Sequence, residues 1–204
     1  MPPDHSPRPK PLCEIETQSS DGRPICLRTI RPSDQQRIRE GITDMSDRSR
    51  YLRFFSAFRE PPESIVKRLS AVDGHDHIGW GAILLNGDDN PPIAAAHAIR
   101  LDIHATTGEL AIAVLDDYQG LGIARMLIAA VLCDCLDEGI DSLEMQVMAE
   151  NSSAKSLVRA LGAERMAALD SVEHYTLDVT KTLDRLRSAK GLPGIAQILS
   201  ELLA

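Results

Sequence analysis

The feature that most constrains the fold is a pair of glycines, Gly120 and Gly122. They separate a strand-like apolar segment, residues 108–115, from a helix-like segment, residues 123–136, that is apolar on nearly all sides. Glycine adopts left-handed backbone conformations and lets another molecule approach the main chain closely. The first N–H groups of a helix have no partner inside the helix, and the helix dipole adds positive charge there. The glycines therefore predict either a tight turn or a binding site for an anion such as a pyrophosphate.

The charge balance limits the class of partner. The 204 residues include 22 Lys and Arg against 30 Asp and Glu, a net charge of −8, and 43% of the residues are apolar. This length and apolar content suit one well-buried core. A negative net charge argues against binding to nucleic acid or to an anionic membrane, because both attract cationic proteins. It suits a cationic partner such as an amine or a lysine side chain.

The cysteines and histidines predict no metal site. Cys133 and Cys135 are two apart in a helix-like segment and form no C-x-x-C pair, so we expect reduced, packed cysteines. His75 and His77 lack the third ligand that a zinc site requires. No apolar stretch matches the core of a signal peptide or the length of a membrane helix. We therefore expect a cytoplasmic protein that binds no metal.

The order of segments predicts one domain with an extension at each end. Residues 1–22 are rich in proline, and we expect a mobile tail because such a segment buries too little apolar surface to offset its ordering entropy. Residues 23–180 carry the domain. Residues 181–204 form a helical extension with leucines and isoleucines at helical spacing. This extension either caps the sheet or pairs with a second subunit to give a homodimer.

Hydrophobic periodicity predicts a mixed α/β fold. After a strand at residues 25–30 and two helical segments, three strands separated by turn residues predict an antiparallel meander. The second of these, residues 92–103, places His97 on an apolar face that extends to Leu101 and Ile103. A helix, a strand, a helix and a last strand follow. We expect a central, mostly antiparallel twisted sheet of about six or seven strands with helices on both faces.

Two known phosphate-binding loops fit the glycines poorly. A dinucleotide-binding loop needs a third glycine, where Arg125 stands, and an acidic residue about 20 positions later, whereas Glu150 lies further along the chain. An NAD-binding module is therefore disfavoured but stays as an alternative. A Walker loop is excluded because no Gly-Lys-Ser/Thr follows the glycines.

Two motifs resemble those of the GCN5-related N-acetyltransferase (GNAT) family. The segment from Val114 to Ala124 is similar to the family's acyl-CoA motif Q/R-x-x-G-x-G/A, and the segment from Asn151 to Ala163 is similar to its motif N-x-x-A-x-x-L-Y-x-x-x-G-F. One helix and one strand separate the motifs, as in the family, and the resemblance extends over roughly residues 25–179. The matching residues are Gln119, Gly122, Ala124, Asn151, Ala154, Leu157 and Gly162.

The resemblance implies the GNAT acyl-CoA N-acyltransferase fold, with acetyl-CoA as co-substrate and the Val114 N–H as the oxyanion donor. It also implies that the strand before the loop splays from its neighbour, and that Asn151 contacts the cofactor arm. The residues implied to hold the pantetheine are Ile112, Ala113 and Val114. The backbone amides implied to cradle the pyrophosphate are those of Gln119, Gly120, Leu121, Gly122, Ile123, Ala124 and Arg125.

Glu109 is the candidate general base. An attacking amine must be neutral, yet a free lysine amine has a pKa of about 10.4. Glu109 begins an otherwise apolar strand, where desolvation would raise its pKa toward neutrality. The alternative is an exposed carboxylate at the start of the strand. The tyrosine that many family members use as the acid is replaced by Val158, so water, Tyr175 or Ser156 protonates the thiolate, or the thiolate leaves unassisted.

One further segment bears on the acceptor. Residues 46–54, "SDRSRYLRF", are similar to an S-x-x-S-x-x-x-R-F run in bacterial protein-lysine acetyltransferase domains. The leading hypothesis is an acyl-CoA-dependent N-acetyltransferase that acts on a primary amine, either a small molecule or a protein lysine. The alternative from a different class is a non-catalytic acyl-CoA sensor on the same fold, which the loss of the tyrosine at Val158 favours.

Overall fold

The computed structural model describes residues 14–86, 90–189 and 193–203. The strands are β1 Glu14–Gln18, β2 Pro24–Thr29, β3 His77–Leu84, β4 Pro92–Arg100, β5 Thr107–Val114, β6 Ser142–Met148, β7 Glu164–Leu169 and β8 Val172–Asp178. The helices are α1 Gln35–Thr43, α2 Asp47–Phe54, α3 Glu63–Ser70, α4 Ile123–Asp137, α5 Ser152–Leu161, α6 Val179–Ser188 and α7 Pro193–Leu202. Short 3₁₀ turns precede α1 and α4.

The strands form one sheet in the order β1-β2-β3-β4-β5-β6-β8-β7. Only β5 and β6 pair in parallel, and every other neighbouring pair is antiparallel. Helix α1 contacts β4 from one face, whereas α4 packs on β3 and β4 from the other, where Trp80 Nε1 donates to Asp134 Oδ2 at 2.9 Å. The prediction of a mixed, mostly antiparallel sheet with helices on both faces is confirmed. The described chain has eight strands rather than six or seven.

Two strands account for that difference. Strand β1 lies within residues 1–22, and the prediction of a mobile tail is wrong from Glu14 onward, because Ile15 pairs with Leu27 and is fully buried. The first 13 residues lie outside the described chain. Strand β7 is exposed along its whole length and carries no alternating pattern. Its position is set by its pairing with β8, a contact that local sequence does not reveal.

Strand β4 is shorter than predicted. It ends at Arg100, whose guanidinium donates to Asp76 Oδ1, to the carbonyl of Ala105 and to the carbonyl of Glu138. The chain turns there into β5. Leu101 and Ile103 are consequently 52% and 69% exposed, so the predicted apolar face stops before them.

The core surrounds α4, of which 11 residues are buried: Ile123, Met126, Leu127, Ile128, Ala129, Ala130, Val131, Leu132, Cys133, Asp134 and Cys135. Burial raises the pKa of the Cys133 thiol to about 12, as suits a packing cysteine. None of the helices in residues 14–86, 90–189 and 193–203 combines the length and apolarity needed to cross a membrane.

The C-terminal extension packs onto this core. Helix α7 contacts α4 and β1, and Ile195, Ile198 and Leu199 are buried. A Cβ at Gly194 would lie 2.5 Å from Met126 Sδ and 2.8 Å from Thr17 Oγ1, so the absence of a side chain permits the contact. The helices of the extension therefore pack against their own chain and cover the sheet there.

Candidate active site

The parallel pair β5–β6 opens into a wedge. The two strands pair only at Thr107↔Ser142, Gly108↔Leu143 and Glu109↔Glu144. Beyond Glu109, β5 stays paired with β4 as far as Val114, whereas β6 stays paired with β8. A cavity of about 290 Å³ occupies the wedge. The splay that the family resemblance implied is therefore present, and one edge of β5 faces this cavity.

The register of β4 and β5 determines which backbone groups face the wedge. Leu115 N–H donates to the carbonyl of Ile93, and alternate residues of a strand direct these groups to opposite edges. The N–H groups of Ile112 and Val114 therefore point into the wedge. The N–H and the carbonyl of Ala113 point to β4. The expectation that the Ala113 backbone holds the pantetheine is wrong for this reason. The carbonyl of Val114 already accepts from Gln119 Nε2 at 3.1 Å.

The glycine loop leaves the start of α4 open. Gly120 and Gly122 have φ values of 76° and 82°, in the left-handed region that favours glycine. Helices α2, α5 and α6 are capped by the side chains of Ser46, Asn151 and Asp178, whereas Gly122 gives α4 no such cap. The N–H groups of the first turn of α4 therefore face a cavity of about 480 Å³.

The structure brings most of the predicted phosphate-binding residues to this loop cavity. Its wall includes Gln119, Gly120, Gly122, Ile123, Ala124, Arg125 and Asn151, together with Ile112 and Val114. Leu121 does not line the cavity, because its side chain packs on the core and its carbonyl accepts from Ser20 N–H. Two of the seven amides are already used, since those of Gln119 and Arg125 donate to the carbonyls of Asp116 and Gly122.

Asn151 joins the two cavities. Its Oδ1 accepts from Ala154 N–H at 3.0 Å and caps α5. This capping role orients the side chain, which lines both the wedge and the loop cavity. The carbonyl oxygen is occupied, so Asn151 can offer a ligand its Nδ2 donor.

Glu109 lies at the last paired position before the wedge opens and lines it. The side chain is exposed, so the expected burial is wrong and the alternative of an exposed carboxylate is observed. Its neighbour Arg53 was missed as a site residue. Burial lowers the pKa of Arg53 to about 10, although the negative charge of Glu109 acts to raise it. The S-x-x-S-x-x-x-R-F run contained the signal, because Arg53 is its arginine.

The two serines of the same run fix α2 beside the wedge. Ser46 Oγ and Ser49 Oγ donate to Asp116 Oδ1 at 3.0 and 2.7 Å, and Ser46 N–H donates to Oδ2. Partial burial acts to raise the pKa of Asp116, but these hydrogen bonds outweigh it and hold the pKa below its ordinary value. Asp116 therefore ties α2, which carries Arg53, to the segment that follows β5.

A buried histidine pair lies on the face of the sheet that carries Glu109. His77 Nδ1 is 3.1 Å from the carbonyl of Ala71, and His77 Nε2 is 3.0 Å from His97 Nδ1. A carbonyl only accepts, so His77 carries its proton on Nδ1 and His97 Nδ1 donates to His77 Nε2. Burial lowers the pKa of both, and most strongly that of His97, which also faces Arg53 and Arg68.

This pair makes the free energy of unfolding depend on pH. Burial favours the neutral form of both imidazoles in the folded protein, whereas in the unfolded chain the two histidines bind protons below about pH 6.5. Their contribution is complete above that pH and is lost as the pH falls through it, by up to about 1.4 kcal/mol per pH unit for each histidine. Urea unfolding between pH 5 and 8 should show this decline, with a shallower slope in His97→Gln. The exposed His104→Gln serves as control, and an unchanged slope in His97→Gln would refute the assignment.

The structure separates the candidates for the acid. Val158 is buried and cannot donate. Tyr175 OH donates to Glu173 Oε2 at 2.5 Å, and Tyr175 lines neither cavity. Ser156 lines the loop cavity. Among the described residues, no group of three or more His, Cys, Asp or Glu side chains is arranged to hold a metal.

Comparison with known proteins identifies relatives of this arrangement. The sequence profile of the acetyltransferase (GNAT) family matches residues 33–163. Acetyltransferase Pat of Mycolicibacterium smegmatis is 32% identical over 152 residues, which cover 74% of this chain and 45% of Pat. The chain therefore spans less than half the length of that relative.

Solved structures show the same fold. The GNAT domain of S. lividans PAT superposes with a TM-score of 0.74 at 24% identity, over 81% of this chain and 96% of that domain. Spermidine N-acetyltransferase SpeG of Vibrio cholerae superposes with a TM-score of 0.59 at 19% identity, over 79% of this chain and 97% of SpeG. At these identities the likeness is one of fold.

Proposed function

The chain belongs to the GNAT acetyltransferase family, and from that premise we propose that it transfers an acetyl group from acetyl-CoA to a primary amine. The observation that carries the proposal is the junction of the wedge with the uncapped start of α4. The wedge offers the backbone edge of β5 to the amide groups of the pantetheine arm. The loop cavity offers the N–H groups at the start of α4 to a phosphate. Gln119, Val114 and Asn151 line both cavities.

The residues present fit the parts of acetyl-CoA. The N–H groups of Gly120, Gly122, Ile123 and Ala124, with the dipole of α4, suit the pyrophosphate. The wedge-facing groups of Ile112 and the Nδ2 of Asn151 suit the amides of the pantetheine. The side chain of Ala113 lines the wedge without a polar group of its own.

The chemistry is a direct displacement. The amine nitrogen bonds to the thioester carbon, and the oxyanion that forms accepts from Val114 N–H. Glu109 takes the proton from the amine, directly or through a water, which its exposure permits. The C–S bond then breaks and CoA leaves as a thiolate. Because Val158 cannot donate, we propose that water protonates this thiolate.

The acceptor is proposed by class alone. The net charge of −8 and the carboxylate of Glu109 beside the wedge suit a cationic amine, such as a polyamine or a protein lysine. The fold alone does not identify the acceptor, although the spermidine N-acetyltransferase SpeG shows that this fold can serve a polyamine. The S-x-x-S-x-x-x-R-F run, which positions Arg53, favours the protein lysine.

The proposal is tested with an acceptor panel. Purified protein is incubated with acetyl-CoA and a lysine-containing protein, a polyamine or a peptide with a free N-terminus. Thiol release and the mass of the acceptor are then measured. We expect thiol release that depends on the acceptor, with a matching acetyl adduct. Acetyl-CoA binding without turnover on any member would instead favour the non-catalytic sensor, the alternative that Val158 supports.

A further inference from the structure

A third cavity of about 90 Å³, called the inner cavity below, lies next to the wedge, between α1 and the sheet. Its wall is mostly apolar and includes Ile38, Ile42, Met45, Leu69 and Ala95. Pockets for small ligands are typically concave and lined mainly by apolar side chains. An apolar cavity beside a candidate active site therefore has the properties of a pocket for a small apolar group.

The inner cavity adjoins the point where the acyl group reacts. Met45, Arg53 and Ala113 line both the inner cavity and the wedge. Ala113 lies between Ile112 and Val114, whose N–H groups face the wedge, and its own side chain lies on the same face as that of its register partner Ala95. A chain attached to a carbonyl at Val114 N–H therefore reaches the inner cavity past the methyl group of Ala113.

The charged groups around the inner cavity already have partners. Arg28 and Asp34 form an ion pair at 2.7 Å, and Arg37 donates to the carbonyl of Asn90 at 3.0 Å. His97 is hydrogen-bonded to His77. Arg53 lies at the boundary with the wedge, its guanidinium 4.9 Å from the centre of the Phe54 ring. The interior thus offers contact to an alkyl chain rather than to a charged or polar group.

We propose that the inner cavity receives the alkyl tail of the acyl group, so that the protein binds propionyl-CoA and butyryl-CoA more tightly than acetyl-CoA. This proposal rests on the proposed function and specifies its donor. The transfer itself is unchanged, since the thioester C–S bond breaks, the amide C–N bond forms and the tail carries no reacting atom. The size of the cavity limits the tail to a few carbons.

The test needs no acceptor. Calorimetric titration compares CoA, acetyl-CoA, propionyl-CoA and butyryl-CoA on the wild-type chain. Burying one methylene is worth about 0.8 kcal/mol, so each added carbon should strengthen binding roughly fourfold until the cavity is full. Weaker binding of butyryl-CoA than of acetyl-CoA would overturn the proposal. Absence of binding by every acyl-CoA would instead refute the proposed function.

Variants test the location of the tail. Ala95→Leu places a larger side chain in the inner cavity and should reverse the ratio of butyryl-CoA to acetyl-CoA affinity. Ile42→Ala enlarges the cavity and should shift the preference to longer chains. The control is Ala168→Leu, which makes the same substitution as Ala95→Leu but on the exposed strand β7. It should keep the wild-type ratio of butyryl-CoA to acetyl-CoA affinity. A wild-type ratio in both folded cavity variants would show that the tail lies elsewhere.

Discussion

Replacing Gly120 with alanine is expected to weaken acetyl-CoA binding roughly 10- to 100-fold, because a hydrogen bond to a charged group is worth about 1.5–3 kcal/mol. Gly120 has a φ of 76°, and nothing lies within 4 Å of the position that a Cβ would take. Because Gly120 lines the loop cavity, we expect the methyl group to enter the space that the start of α4 offers to a phosphate. Calorimetric titration of the variant with acetyl-CoA measures the loss.

Gly139→Ala is the matched control for this substitution. Gly139 lies at the opposite end of α4, has a φ of 69° and likewise has nothing within 4 Å of a Cβ. Both variants should lose a similar free energy of unfolding, about 1–2 kcal/mol, because alanine is strained at positive φ. Only Gly120→Ala should lose affinity for acetyl-CoA. Equal affinity in the two variants would mean that the glycine loop is simply a turn.

Replacing Glu109 with glutamine is expected to lower kcat about 100- to 10,000-fold, the usual contribution of a general base. Affinity for acetyl-CoA should persist, because the proposed contacts to the cofactor come from the loop and the wedge-facing backbone. As the pH rises and the free amine becomes more abundant, the variant should recover part of its rate. Rate measurements across pH with the best acceptor of the panel test both statements.

Glu144→Gln is the control for charge. Glu144 is the register partner of Glu109 on β6 and is also exposed, so the two substitutions remove the same charge from adjacent strands. Activity should fall only in Glu109→Gln. A comparable loss in both would indicate that the local charge matters rather than one proton acceptor. Full activity in Glu109→Gln would remove the base from the mechanism.

The parts of the site that were predictable from sequence are those fixed by local geometry. Gly120 and Gly122 have the positive φ that only glycine adopts freely, and Asn151 caps α5 as its position before the helix predicts. The continuous apolar character of residues 123–136 correctly predicted that α4 is buried. Each of these features depends on a few neighbouring residues.

The parts that were not predictable depend on distant contacts. The apolar neighbours of Glu109 suggested burial, but the wedge leaves that carboxylate exposed. The direction of the Ala113 backbone follows from the register of β4 and β5, which the sequence does not specify. The S-x-x-S-x-x-x-R-F run marks Arg53, but the place of its helix beside the wedge depends on Asp116, far along the chain, which accepts from Ser46 and Ser49.

The most direct test of the central claim is a calorimetric titration of the folded protein with acetyl-CoA, with NAD in parallel. We expect one binding site per chain with a Kd on the order of micromolar, which corresponds to a binding free energy of about −8 kcal/mol. We expect no heat from the titration with NAD. Such a result would assign the wedge and the glycine loop to acyl-CoA. Binding of NAD, or no binding of acetyl-CoA by protein shown to be folded, would contradict the assignment and the mechanism built on it.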